Sequence, residues 1–434
     1  METPAVYRGV KDLIAPALIA VGVVAIIWLF TNHMRPEWDM AYYIDMAANG
    51  IVGNGHLAAP FAYRIGAPLL VGALAHLTGV GPELTFRICD AISCVIFVLS
   101  CFYFARALGA SFYAAAFSGI ILALNFNVVK WTLFSGTMVD IYAYPFLLAA
   151  FWALLREKFY LCLLISSVGL LFKEFLLVPL FVQAAALLLE QRRLSDWKRW
   201  GKPLLLSGLS LLVFFVLPRL FIHVAHTFQD IDPLNDRSTV RRLLTYPLSR
   251  RHDFNILFAY LAGWLPVLLL ALTPARLRLI AVQLRPYRLT LVLFMAFHFL
   301  LTMYGGTNIN IYITYCVPIQ VVVLVILLDR AGVPVWEICA AVLVVFIFNR
   351  IWKTIPLPQN GLDTYLDFYA GYYMRVNSRS FFRMGELLTY IIGFSVLRFS
   401  VIRFSGAQTG IPSESQPRPL VRSGGNSLVG LDEL

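Results

Sequence analysis

The chain has 434 residues, 59% of them hydrophobic and only 14% charged, with a mean hydropathy of +0.75. An ordinary soluble domain carries about 25% charged residues, so the composition excludes that class. The net charge is +11, but the basic residues are dispersed among apolar runs. That excludes a nucleic-acid surface and points to contact with anionic lipid head groups.

Apolar runs of about 18–20 residues recur along the sequence, each long enough to cross ~30 Å of hydrocarbon as a helix, whereas barrel strands need only about 10 alternating residues. The fold class expected is therefore all-α, a polytopic transmembrane bundle of about twelve spans. In chain order the spans fall at 13–31, 84–106, 111–128, 138–155, 159–173, 175–190, 203–225, 256–274, 289–304, 311–328, 333–350 and 384–401. The first run ends in Asn32-His-Met-Arg35 with no small-residue cleavage site, so it reads as a span rather than a signal peptide.

The stretch Phe61–Val80 is apolar but short, and it carries Arg64, Pro68 and His76. It reads as a juxtamembrane or re-entrant helix that returns to the side it left. That choice places Arg106, Arg156/Lys158, the basic run 191–202, Arg276/Arg278/Arg285/Arg288 and the tail on one face, and short basic loops mark the cytoplasm. Both termini are then cytoplasmic. One membrane domain covers 1–404, with outer loops at 32–82, 227–255 and 351–383, and the Gly-, Pro- and Ser-rich tail 405–434 reads as disordered.

With this topology the unusual polar residues gather on the outer face. The first loop holds Asp39, Tyr43 and Asp45; Asp140 opens the fourth span; Lys173-Glu174 interrupts an apolar stretch of the chain. Arg237, Arg241, Arg242, Arg250 and Arg251 lie in the next loop, Asn308 and Asn310 at a Gly-rich turn, and Arg375, Arg379 and Arg383 in the last. Charges near membrane depth are costly and usually face a polar cavity. Basic groups there hold a phosphate, and a carboxylate takes a proton from an incoming hydroxyl.

Each of these also has a plainer reading. Asp140 can cap its helix, Asp45 is better read as a solvated or capping residue, and Lys173-Glu174 can neutralise itself at a turn. The Arg run at 237–251 fits an amphipathic surface on anionic lipid better than a site, and Asn308/Asn310 suit a turn. His223 and His226 have the i, i+3 spacing of a metal pair but no third ligand nearby. The six cysteines include no CxxC pair, so neither a zinc knuckle nor a disulfide framework is indicated.

The loop Trp38-Asp-Met-Ala-Tyr-Tyr-Ile-Asp-Met-Ala-Ala-Asn-Gly50 resembles the first outer loop of the GT-C membrane glycosyltransferases, among them protein mannosyltransferases and lipid A aminoarabinose transferases. Asp39, Tyr43 and Gly50 fall on that pattern. Pro60-Phe-Ala-Tyr-Arg-Ile-Gly-Ala-Pro68, Asp140 and Leu171-Phe-Lys-Glu-Phe-Leu-Leu-Val-Pro179 are similar to its later segments, and the resemblance covers roughly residues 10–190. Met40 follows Asp39 where many members carry a second acid, and the second Pro after Arg64 is missing.

The resemblance implies a transferase that moves a sugar from a polyprenyl-phosphate donor to a glycan, lipid or protein acceptor outside the plasma membrane. It makes Asp39 the base and gives Lys173 and Arg64 the leaving phosphate. Asp140, Glu174, Tyr43 and Asn308 are the further binding candidates. It indicates no cofactor; a divalent metal held by Asp140 stays open. The competing readings are a flippase for an anionic lipid-linked substrate, using Asp90, Asp140 and Glu386, and an O-antigen polymerase or ligase using the loop 227–255.

Overall fold

Long runs of Leu, Ile, Val, Phe and Ala place backbone amides in hydrocarbon, where a single segment satisfies its own hydrogen bonds only as a helix. The computed structural model describes residues 11–35, 39–190, 197–227, 250–304, 309–369 and 379–404, and these are almost entirely helical. The first half contains α1 (Lys11–Leu29), α2 (Asp39–Asn49), α3 (Gly66–Thr78), α4 (Pro82–Ala107), α5 (Phe112–Ala123), α6 (Trp131–Ser135), α7 (Asp140–Leu155), α8 (Phe159–Leu170) and α9 (Leu177–Glu190). The second half contains α10 (Trp197–Leu211), α11 (Leu217–Phe221), α12 (Arg250–Gly263), α13 (Leu265–Ala271), α14 (Pro274–Leu284), α15 (Arg288–Tyr304), α16 (Ile309–Thr314), α17 (Val317–Val325), α18 (Val335–Phe348), α19 (Leu362–Phe368) and α20 (Arg379–Phe404).

Among the described residues, four continuous helices are long and apolar enough to cross a membrane: Pro82–Ala107, Gly201–Phe221, Pro274–Met303 and Phe381–Phe404. Two bent pairs raise the number to six, Phe112–Ala123 with Phe126–Ser135 at 59° and Phe254–Gly263 with Leu265–Ala271 at 66°. Leu18, Ile92, Val292, Ile392 and Val396 present large apolar side chains outward, as a lipid-facing surface requires. The protein is a helical membrane protein.

Twelve unbroken spans are not what the described residues form. Several expected spans are short helices instead, such as Phe159–Leu170 and Val335–Phe348. Others are interrupted where the α-helical ladder fails: at a Pro in the first turn of α13, at Pro318 in the first turn of α17, and at π-helical turns over Phe126–Lys130 and Ile326–Arg330.

Contacts between helix ends define two ends of the bundle. At one, Met34 N donates to Phe134 O at 2.9 Å and Arg87 Nη2 to Met34 O at 2.6 Å, joining the exit of α1 to the start of α4. Lys130, with no exposed surface, caps the same end. Its ammonium donates to Phe30 O (3.3 Å), Arg350 O (3.2 Å), Ile351 O (2.6 Å) and Lys353 O, so one cation serves the C-terminal carbonyls of α1 and of the segment after α18. At the other end, Arg156 reaches Ala107 O, and Asp329 accepts from the Ser111 amide at 2.7 Å. There Glu337 receives Arg276 at 2.6 Å and Arg398 at 3.0 Å.

α4 therefore starts at the end of the bundle where α1 finishes. α3 has 13 residues, about 20 Å of helix, too short for ~30 Å of hydrocarbon. Its first amide donates to Leu171 O at 2.8 Å, at the exit of α8. It lies against α2 at Gly72, where an added Cβ would stand 2.7 Å from the Ala47 carbonyl oxygen.

That approach is testable. Gly72→Ala is expected to cost about 1–3 kcal/mol through overpacking against backbone, seen as a lower thermal midpoint in detergent. Gly22→Ala, whose new Cβ meets nothing within 4 Å, is expected to leave the midpoint in place.

Candidate functional site

The sequence brings its charges to one place because α2, the turn before α3, the start of α7 and the turn between α8 and α9 all meet at the end of the bundle capped by Lys130. Lys173 occupies an extended residue between α8 and a 3₁₀ turn over Glu174–Leu176, so the two adjacent charges diverge. Lys173 Nζ lies 2.9 Å from Asp140 Oδ1, and both side chains are about nine-tenths buried. Glu174 turns the other way, and Arg64 Nε stands 3.1 Å from each of its carboxylate oxygens. The pair does not neutralise itself; each charge is answered by a different element.

Arg64 also donates from Nη1 to the Tyr43 hydroxyl at 2.9 Å. Phe61 stacks on Tyr42 at 5.5 Å and meets Tyr43 edge-on at 5.8 Å, and these rings fix α2 against the turn that carries Arg64. Tyr315 donates its hydroxyl to Asp140 Oδ1, and its ring stacks on Phe175 at 3.9 Å. Asp140 thus binds a lysine and a tyrosine rather than serving only as a helix cap.

Asp39 opens α2, half-buried. Burial lifts its carboxyl above the usual carboxylate range; the cations Arg64 and Lys173 pull it down again, and Asp140 adds to the rise. A carboxylate so placed takes up a proton more readily than a solvated one.

Of the residues picked out in the sequence, Asp39, Tyr43, Arg64, Asp140, Lys173 and Glu174 form one electrostatic cluster. Asn308 lies outside the described residues, as do Arg237, Arg241, Arg242 and Arg375. Asn310 is buried in α16. Asp45 accepts from Asn49 and Asn54, a local turn contact on the far side of α2. No group of three metal-ligating side chains occurs among the described residues.

Three residues beyond the transferase candidates support the site. Arg219 reaches the cluster from α11, its Nη2 3.7 Å from Glu174 Oε1 and its guanidinium 4.8 Å from the Tyr63 ring. Tyr315 lies in the two-residue turn between α16 and α17, inside a stretch that reads as uniform apolar span. Asp90, noted only as an intramembrane acid, is fully buried in α4 and accepts from the Met138 amide at 2.9 Å and the Tyr142 hydroxyl at 2.8 Å, gripping the turn on both sides of Asp140. A lone Arg behind Pro218 at the end of an apolar run was the one available signal.

Arg219 is brought to the site by a short parallel pairing of Ala58–Ala59 with His226–Thr227, which ties the first loop to the residues after α11. Compared with family models, curated proteins and solved structures, the chain finds no match.

The Asp140–Lys173 pair is testable by double mutation. Asp140→Ala and Lys173→Ala should each cost about 3–5 kcal/mol, because each bares a buried partner. The double variant should lose clearly less than the two losses together. Unfolding in mixed micelles checks this, and strict additivity would refute the pairing.

Proposed function

We propose that the protein is a membrane glycosyltransferase of the GT-C kind, which moves a sugar from a polyprenyl-phosphate donor to an acceptor outside the plasma membrane. The observation that carries the reading is the convergence of Asp39, Arg64, Asp140, Lys173 and Glu174 at one end of a helical membrane bundle.

The reading includes a twelve-span topology, in which the short and bent helices count as crossings and α3 does not. Both termini face the cytoplasm, the cluster faces outward, and the end rich in Arg276, Arg285 and Arg330 faces in. Asp39 accepts the proton of the acceptor hydroxyl. The acceptor oxygen then bonds to the anomeric carbon as that carbon's bond to the phosphate oxygen breaks, with inversion, and the lipid phosphate leaves as the anion. Basic side chains of the cluster stabilise that anion.

A flippase would use Asp90, Asp140 and Glu386. Asp90 is held by Met138 and Tyr142, and Glu386 lies 2.5 Å from Arg383 and 3.6 Å from Arg350. Carboxylates so engaged favour the enzyme reading.

Asp39→Asn is expected to reduce transfer of a radiolabelled sugar from a polyprenyl-phosphate donor in membranes by about 10²-fold or more. The acid limb of kcat/KM for the unaltered protein is expected above the ordinary carboxylate value of 3.8, because burial raises the Asp39 carboxyl and the base form is lost as pH falls through that raised value. Full activity of Asp39→Asn would remove the proposed base.

A further inference from the structure

We infer that Arg219 is the residue of the cluster that receives the phosphate of the lipid donor. The inference deepens the proposed reading of the site and rests on it.

Three cations and three carboxylates make up the described cluster: Arg64, Lys173 and Arg219 against Asp39, Asp140 and Glu174. They differ in how far each cation is already committed. Lys173 is closed on Asp140 at 2.9 Å in a nine-tenths buried pair. Drawing it toward a phosphate would leave the Asp140 charge buried with only Tyr315 against it, a costly exchange. Arg64 is closed on both oxygens of Glu174 and on Tyr43.

Arg219 is different. Its Nη2 stands 3.7 Å from Glu174 Oε1, beyond hydrogen-bond distance. Glu174 keeps its two contacts with Arg64 when Arg219 turns to a ligand, so no carboxylate is stripped of its partner.

The guanidinium is also held in one orientation. Its centre lies 3.6 Å from the centroid of Phe215 and 4.8 Å from that of Tyr63, and Nη1 donates to Phe215 O at 2.8 Å. Ring contacts that fix the plane of an arginine while leaving an edge open suit a phosphate, which accepts two parallel N–H bonds.

The source of the phosphate follows from the helix that carries Arg219. Gly201–Phe221 is of membrane-spanning length. Leu205, Leu209, Leu212, Val216 and Leu220 are exposed along it at helical spacing, uncovered by any described element. A hydrocarbon chain laid on this stripe ends beside Arg219. A free phosphate has no use for it.

The test uses the purified full chain in a neutral detergent, with three probes: a long-chain polyprenyl phosphate, the corresponding neutral prenol, and inorganic phosphate. Binding is read by microscale thermophoresis for the wild type, Arg219→Gln, Arg219→Lys and Arg403→Gln, the last lying at the opposite end of the bundle. Size-exclusion profiles confirm that each variant is folded.

The lipid phosphate is expected to bind at least tenfold more weakly to Arg219→Gln, with Arg219→Lys between that variant and the wild type, and Arg403→Gln is expected to bind like the wild type. Equal affinity in Arg219→Gln and wild type overturns the role of Arg219 and leaves the transferase reading standing. Inorganic phosphate binding as tightly as the lipid phosphate overturns the lipid source. A wild type that binds the prenol as tightly as its phosphate overturns anion recognition, and with it the reading beneath.

Discussion

The buried pair of Lys173 and Asp140 is the constraint on which the arrangement of this end of the molecule depends. Two opposite charges with little exposure, 2.9 Å apart, hold only if the segments that bear them are fixed against each other. The apolar run from α8 into α9 therefore cannot continue as one helix. It breaks into an extended residue and a 3₁₀ turn, which turns Lys173 toward α7 and Glu174 toward Arg64. From that break follow the approach of the first loop, through the Gly66 amide on Leu171 O, and the seating of Tyr43 against Arg64.

Around this pair the bundle uses broken helices more than long ones. The bend between α5 and the turn leading to α6 brings Lys130 to one end of the bundle, where it satisfies four carbonyls from its neighbours without a carboxylate of its own. Asp90 does the converse for the start of α7, accepting an amide and a hydroxyl. Each charged group buried in the bundle is answered by backbone or by an opposite charge, as a low-dielectric interior demands. The opposite end follows the same rule with Glu337 between Arg276 and Arg398.

Much of this was legible in the sequence. Apolar run length gave the helices, and the shortness of Phe61–Val80 matches the 13-residue α3. The cluster was legible because charge inside apolar sequence is expensive, so Asp140 and Lys173-Glu174 stood out.

What could not be read was pairing. Adjacent Lys173 and Glu174 look self-neutralising until the local backbone is known, since an extended residue and a helical turn send neighbouring side chains in different directions. The breaks in the spans were hidden for a related reason. A π-turn leaves no signature in composition, and prolines are tolerated in membrane helices where neighbours take up the freed carbonyls. Arg219 stayed out of view because its approach depends on two residues of parallel strand pairing some 170 positions apart in sequence.

The most direct test of the account is mass spectrometry of lipid-linked sugars and envelope glycans in cells with and without the gene. It predicts that deletion leaves a polyprenyl-phosphate sugar unconsumed and removes one sugar from an extracytoplasmic acceptor, both restored by the wild type. Unchanged lipid-linked sugars together with unchanged glycans would contradict it.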